Sequence, residues 1–214
     1  DHRRGGGCGA HAGSAWRVGH ALFAGQRRQH RQAQPHRVHI LAIAQHHHPY
    51  AQFGRNQKMV LVNKQEINVQ DVIDGLGQIF EYQAEEQECH FSSNLEAQKL
   101  FADPELFQRA VYNLILNALV HGGDKRSIYI TTRHKMIEHT QWVSLTVVTG
   151  GVSIAEHQLE YVFERFYQCH SSRSDENQTG GLGLSIVASI MDLHHGLYRV
   201  YNTVEGLCFE LDFP

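Results

Sequence analysis

At 214 residues, 42% of them hydrophobic and with a net charge of −3, the chain has the size and balance of one globular domain with a flanking segment. It holds no run of about 18 apolar residues to cross a bilayer, and no apolar core of a signal peptide follows its first arginines. Cys8, Cys89, Cys169 and Cys208 are scattered without a C-x-x-C pair, which argues against a zinc site or disulfide frame and for reduced thiols in a cytoplasmic protein.

The average charge conceals a split. Residues 1–54 hold seven Arg, no Lys and one acid, Asp1, a net +6; the rest hold 12 basic and 21 acidic residues, a net −9, which together make the −3 of the whole. This first part lacks helical or strand periodicity and is interrupted by Gly5-Gly6-Gly7, Arg27-Arg28 and His46-His47-His48-Pro49, so poor order is expected. Rich in Gly, Ala, Gln, His and Arg, it has the composition of a GC-rich gene translated in a shifted frame. The hypothesis is a division into 1–54, out-of-frame or foreign, and 55–214, a folded domain. The encoding DNA read in its other two frames tests it. A metal or nucleic-acid role for the arm is the weaker alternative, because its His residues are mostly far apart and aromatic stacking partners are few. No nucleic-acid partner is expected.

From residue 56 the pattern turns regular. Asn68 caps a helix from Val69 to about Gln87, with Asp71 and Asp74 near its positive end. Strand-like runs follow at Cys89–Leu95 and Lys99–Ala102. Asp103-Pro104 opens a second helix that Gly122-Gly123 closes. Ser127–Arg133 and Trp142–Val148 alternate as an antiparallel pair. Ala155–Phe166 reads as a short helix and residues 167–180 as a polar loop. Leu182–His194 is helical again and ends at Gly196; Tyr198–Asn202 and Cys208–Phe213 supply the last strands. Helices on one face of a mixed sheet, an α+β two-layer α/β sandwich, is the expected architecture.

The second helix carries the informative chemistry. Phe107, Ala110, Val111, Leu114, Ile115, Ala118 and Leu119 form an apolar face, while Asn113, Asn117 and His121 stand four apart as a polar stripe. A buried carboxamide without a partner costs about 1–3 kcal/mol, so such a stripe serves either an internal hydrogen-bond network or a polar ligand such as a hydrated cation. His121, at a helix end, also suits a C-terminal dipole partner. Glycine pairs at Gly150-Gly151 and in Gly180-Gly181-Leu182-Gly183-Leu184 are by themselves ordinary turns. Phe163 and Phe166, three apart, suit core packing that anchors the loop after them.

Asparagine helix, glycine turn, Phe-x-x-Phe segment and glycine-rich loop, in this order, resemble the ATP-binding domain of sensor histidine kinases of two-component systems. Val162 to Tyr167, the Ser-Ser-Arg-Ser run, Gly-Leu-Gly-Leu-Ser-Ile-Val and Met191-Asp192-Leu193-His194-His195-Gly196 look most like the heavy-metal (copper and silver) sensor type. The resemblance covers residue 56 to the end and implies the histidine-kinase/gyrase-type ATPase fold, with ATP and Mg²⁺ as cofactors. It implies that Asn117 ligates Mg²⁺, supported by Asn113, and that nucleotide meets His121, Thr149, Gly151, Ile154, Phe166, Tyr167, Gly181, Leu182, Gly183 and Leu184. Transfer of the γ-phosphoryl group to a His and onward to a response regulator is the implied reaction. The family also implies a homodimer and an inner-membrane protein whose sensing and membrane segments lie upstream of residue 1.

Departures from the family pattern are equally specific. The phosphoacceptor His of such kinases is followed by Glu or Asp, and none of the nine His in residues 1–54 is, so no catalytic residue is assigned. Thr149 stands where Asp or Asn meets the adenine amino group, Val120 where Lys or Arg meets phosphate, and Thr179 where the glycine-rich loop begins with Gly. A degenerate, truncated kinase remnant without phosphotransfer is therefore the alternative. A Glu one turn before the metal-binding Asn, usual in gyrase-type and mismatch-repair ATPases, is replaced here by Asn113, which favours the kinase reading.

Overall fold

The computed structural model describes residues 62–122, 127–168 and 181–214, together with the backbone of Trp16–Val18. The elements are β1 (Trp16–Val18), β2 (Gln65–Asn68), α1 (Val69–Glu86), β3 (His90–Leu95), β4 (Lys99–Ala102), α2 (Pro104–Gly122), β5 (Ser127–Ile137), β6 (Thr140–Gly150), α3 (Glu156–Leu159), α4 (Gly183–His194), β7 (Leu197–Asn202) and β8 (Gly206–Phe213). Expected poor order in residues 1–54 concerns residues that, β1 apart, lie outside the described ones.

One six-stranded sheet runs in the order β1-β3-β5-β6-β8-β7, with β3 parallel to β1 and β5 and the remaining pairs antiparallel. A separate antiparallel ladder joins β2 to β4. The mixed sheet carries its helices through β8, whose Leu207, Phe209, Leu211 and Phe213 belong to the same apolar core as Phe107, Leu114 and Met191. Phe107 and Phe213 meet edge to face at 5.5 Å.

Helix ends form for local reasons. Asn68 Oδ1 accepts from the Gln70 N–H at 3.0 Å and starts α1, whose Val69, Ile73, Leu76, Phe80 and Ala84 repeat at helical spacing and are buried. Asp103 Oδ1 accepts from the Glu105 and Leu106 N–H groups, both at 3.1 Å, and starts α2. Burial works against the charge of Asp103, but the Leu106, Asn63 and Glu105 amides outweigh it and hold its pKa below the ordinary carboxylate value. The left-handed residue ending α4 is His195, φ 57°, and not Gly196 as the glycine rule suggests.

Several elements differ from expectation, β1 among them because no strand periodicity is visible before residue 55. The helix expected over Ala155–Phe166 is only Glu156–Leu159; three-residue turns at Tyr161 and Glu164 replace it, and Phe166 at φ 62° cannot continue a helix. β2 is absent from the sequence reading because Ile67 is its one buried side chain, too little to show alternation. β5 and β6 run past their expected ends to a two-residue turn at Glu138-His139, both at positive φ, which lacks the Asn-Gly signature of such hairpins.

Opposite the core, β8 presents Glu210 and Asp212, both buried. Lys135 Nζ lies 3.1 Å from Glu210 and 2.9 Å from Asp212, and Arg199 lies 3.1 Å and 2.6 Å from the same pair. Burial alone would raise the Glu210 pKa, but Lys135, Arg199 and the Ser144 hydroxyl bring it down to about 2. A depressed carboxylate stabilises the fold fully above its unfolded value near 4.5 and loses that contribution as pH falls toward about 2, on the order of 3 kcal/mol in all. Denaturant melts between pH 7 and pH 2.5 should therefore show a steep loss below pH 4.5, and Glu210→Gln should flatten that part of the curve. An equally steep curve in the variant would assign the loss to other groups.

Candidate functional site

α2 and α4 lie side by side and run antiparallel. At one end His194, the last residue of α4, bonds the backbone N–H of Asp103 just before α2, at 3.0 Å. At the other end a Cβ built on Gly183, the first residue of α4, would lie 3.2 Å from Asn113 Oδ1. Both intervals are about three helical turns, so the two helices stay in step between these contacts. Beyond Gly183 α4 stops, whereas α2 continues to Gly122. Asn117, one turn past Asn113, therefore overhangs the N-terminus of α4, and His121 stands one turn further.

Chemistry differs along the stripe. Asn113 is half-buried and donates through Nδ2 to the Arg109 carbonyl at 2.7 Å, leaving Oδ1 turned to Gly183. Asn117 is half-buried, and its carboxamide has no hydrogen bond among the described residues. His121 is exposed by area, yet desolvation by its neighbours pulls its pKa below the ordinary imidazole value. Across from the stripe, Leu182 precedes α4 without a side-chain cap, and Ile186 is the residue whose N–H reaches back to Leu182 O, at 3.0 Å. Among the described residues such a start leaves first-turn backbone N–H groups without a side-chain acceptor, at the positive end of the helix dipole. Ser185 turns its hydroxyl to Leu182 O at 2.8 Å, and Leu184 packs against the core.

The glycines are used in different ways. A Cβ on Gly150 would collide with Ser127 Oγ of β5, and one on Gly206 of β8 would collide with the Thr149 carbonyl, so β6 approaches β5 and β8 too closely there for a side chain. Gly151 sits at φ 73° with nothing within 4 Å of where a Cβ would be, so open space lies over it. Gly181, at φ 69°, is crowded instead: a Cβ would lie 2.8 Å from Tyr167 O. Its carbonyl accepts from the Phe166 N–H at 3.0 Å, which brings together the residues on either side of the polar loop over 167–180. Tyr167 stacks on Tyr161 at 5.8 Å.

The Phe-x-x-Phe pair divides. Phe163 packs on Tyr198 at 4.8 Å and Phe209 at 6.1 Å, the anchoring role expected of both. Phe166 is 71% exposed, because its left-handed backbone turns the ring outward, and the core role assigned to it is corrected accordingly. Thr149 is buried on the face that carries Leu145 and Val147, hence on the helix side of β6. Val120 is exposed on α2. Ile154 is held by a residue the sequence reading passed over: Asn202 Oδ1 accepts from its N–H at 3.1 Å, and Asn202 Nδ2 donates to its carbonyl at 2.7 Å. No local signal marks Asn202, since its partner is 48 residues away. Arg173, Thr179, Gly180 and Gly123 lie outside the described residues. Of the cysteines, Cys89 and Cys208 are buried free thiols; Cys8 and Cys169 are also outside.

An amide-bearing helix is thus set against the start of a second helix on a mixed sheet. The family model of the histidine kinase-, DNA gyrase B- and HSP90-like ATPases matches residues 102–214, and the chain belongs to that family. Among curated proteins it is 35% identical over 112 residues to the probable sensor kinase SilS of Salmonella typhimurium, covering 52% of this chain and 22% of SilS. It is 30% identical over 164 residues to the sensor histidine kinase CusS of Escherichia coli O6:H1, covering 77% of this chain and 33% of CusS. With the sensor protein CzcS of Cupriavidus metallidurans it shares 35% identity over 116 residues, 54% of this chain and 24% of CzcS. The chain thus spans about a quarter to a third of the relatives it matches. Among solved structures it is similar to the catalytic domain of histidine kinase ThkA, with a TM-score of 0.61 and 26% identity over 71% of this chain and 95% of that domain. ThkA has also been solved in complex with the response regulator protein TrrA. The matched part is accordingly a catalytic domain of the sensor histidine kinase kind. No helix among the described residues is long and apolar enough to cross a membrane.

Proposed function

We propose that the domain binds Mg·ATP between α2 and the start of α4 and serves as the kinase module of a two-component sensor. The observation that carries this reading is the half-buried Asn117 carboxamide, without a hydrogen bond among the described residues, overhanging the N-terminus of α4. An amide oxygen suits Mg²⁺, which keeps most of its own waters. Free first-turn N–H groups suit phosphate. When bound, Mg²⁺ supplies neutralisation of charge on the phosphates during γ-phosphoryl transfer.

Each residue then has a defined task. Asn117 orients the ion through its oxygen, and Asn113 Oδ1 steadies its water shell. Amides of Gly183 and Leu184 hold phosphate oxygens, and the open space over Gly151 admits the base with Thr149 at its edge and Ile154 beside it. Phe166 and Tyr167, with Gly181 and Leu182, close the loop over the nucleotide, and His121 borders it. The acceptor is a His on a dimerisation domain, and the phosphoryl group passes to the Asp of a response regulator. In the whole protein the module works as a homodimer tied to the inner membrane by upstream segments.

Two observations favour a second reading, a degenerate remnant that keeps the fold without turnover. The buried Thr149 offers only a short hydroxyl, and the exposed Val120 offers no charge. The two readings separate when the domain is incubated with γ-labelled ATP, Mg²⁺ and a separately supplied dimerisation domain of a related sensor. An active module labels the acceptor His; a chain that binds nucleotide yet leaves it unlabelled is the remnant.

A further inference from the structure

His194 has no exposed surface, and both its ring nitrogens are engaged. Nδ1 lies 2.8 Å from the carbonyl of Ile190, one turn back, and Nε2 lies 3.0 Å from the backbone N of Asp103. A carbonyl only accepts and a backbone N–H only donates, so the ring carries its proton on Nδ1 and offers a bare lone pair at Nε2. The ring also meets Phe213 edge to face at 5.6 Å, which holds its plane. One hydrogen bond thus joins the residue that starts α2 to the residue that ends α4.

The same junction receives the incoming chain. Asn63 N–H donates to Asp103 Oδ2 at 2.9 Å, and Lys64 Nζ donates to the His194 carbonyl at 3.1 Å. Between the junction and the contact of Asn113 with Gly183, α2 and α4 share the apolar core through side chains such as Phe107, Ala110, Val187 and Met191. Dispersion and burial are non-directional and tolerate small shifts along a helix axis. A hydrogen bond to a backbone N–H does not, because its geometry is narrow. A helix is stiff along its length, so the end held by His194 dictates where the opposite end stands.

We propose that His194 is a positioning residue of the nucleotide site: its Nε2 sets the register of α4 against α2, and thereby the place of the α4 N-terminus beside Asn117. What that site holds rests on the Mg·ATP reading above; the register does not.

Two substitutions separate this role from bulk stability. His194→Gln retains an acceptor near the position of Nε2, whereas His194→Asn keeps a polar group near Nδ1 and loses the reach to Asp103. Hydrogen–deuterium exchange on the full chain without nucleotide, followed from Ile186 along α4 and normalised to β8, reads how firmly the His194 bond fixes α4. His194→Asn should raise relative exchange in α4 by about tenfold, the worth of one buried hydrogen bond, and His194→Gln should stay within about threefold of the natural protein. Affinity for a fluorescent ATP analogue should follow the same order. Equal exchange in the two variants, or a rise shared equally by β8, overturns the proposal. Should the natural protein not bind the analogue, the Mg·ATP reading fails, and the exchange comparison alone still decides the role of His194.

Discussion

Thr149→Asp combined with Val120→Arg is expected to tighten binding of a fluorescent ATP analogue by about a hundredfold. Each substitution restores a contact to a charged group, worth about 1.5–3 kcal/mol, and every 1.4 kcal/mol is about tenfold in affinity. The lower end applies because the two positions differ in burial. Val120 is exposed on α2, so an arginine there keeps its solvent until phosphate arrives. Thr149 is 3% exposed on the helix side of β6, so a carboxylate there is desolvated and lacks a partner while the site is empty. Thr149→Asp alone should consequently lower the thermal midpoint of the empty domain and recover it when nucleotide is added. Titration of the single and double variants checks both effects. Unchanged affinity in the double variant would mean that the base and phosphates bind elsewhere.

Asn117→Ala should act in the opposite direction, weakening Mg·ATP by about tenfold to a hundredfold while leaving the fold as stable as before. Stability is spared because the Asn117 carboxamide has no hydrogen bond among the described residues, and truncation strands no partner. Asn113→Ala differs in kind: it releases the Arg109 carbonyl, bonded at 2.7 Å, and removes the oxygen facing Gly183. Its loss of affinity should be smaller than that of Asn117→Ala. Binding measured in Mg²⁺ and again in EDTA isolates the ion. If Asn117→Ala weakens nucleotide equally in both conditions, its oxygen is not the metal ligand.

Caps and periodicity made the long helices legible. Asn68 before α1 and Asp103-Pro104 before α2 are local signals, and the apolar faces behind them repeat over many turns. The order of the Asn stripe, glycine turn, Phe-x-x-Phe segment and glycine-rich loop carried the family, because four motifs in sequence leave little room for accident. Of the four-residue elements, β4 was legible at its observed bounds, whereas β2 and α3 were not. β2 buries one residue, α3 is a single turn, and the Glu138-His139 hairpin takes its shape from strand pairing, not from its own side chains. Phe163 and Phe166 look equivalent three residues apart, yet a left-handed backbone at Phe166 sends one ring into the core and the other outward.

What the sequence determined by itself is therefore the list of parts: which helix carries amides, which loops carry glycine, and which family places them together, since each is written in local spacing. Only the tertiary structure decided how the parts meet. The antiparallel alignment of α2 and α4, the step by which Asn117 overruns the start of α4, and the joining of Asp103 to His194 across 91 residues depend on packing of distant segments. Hydrogen bonds and contacts of that separation leave no pattern in the chain, because the physical partners become neighbours only after the core has closed.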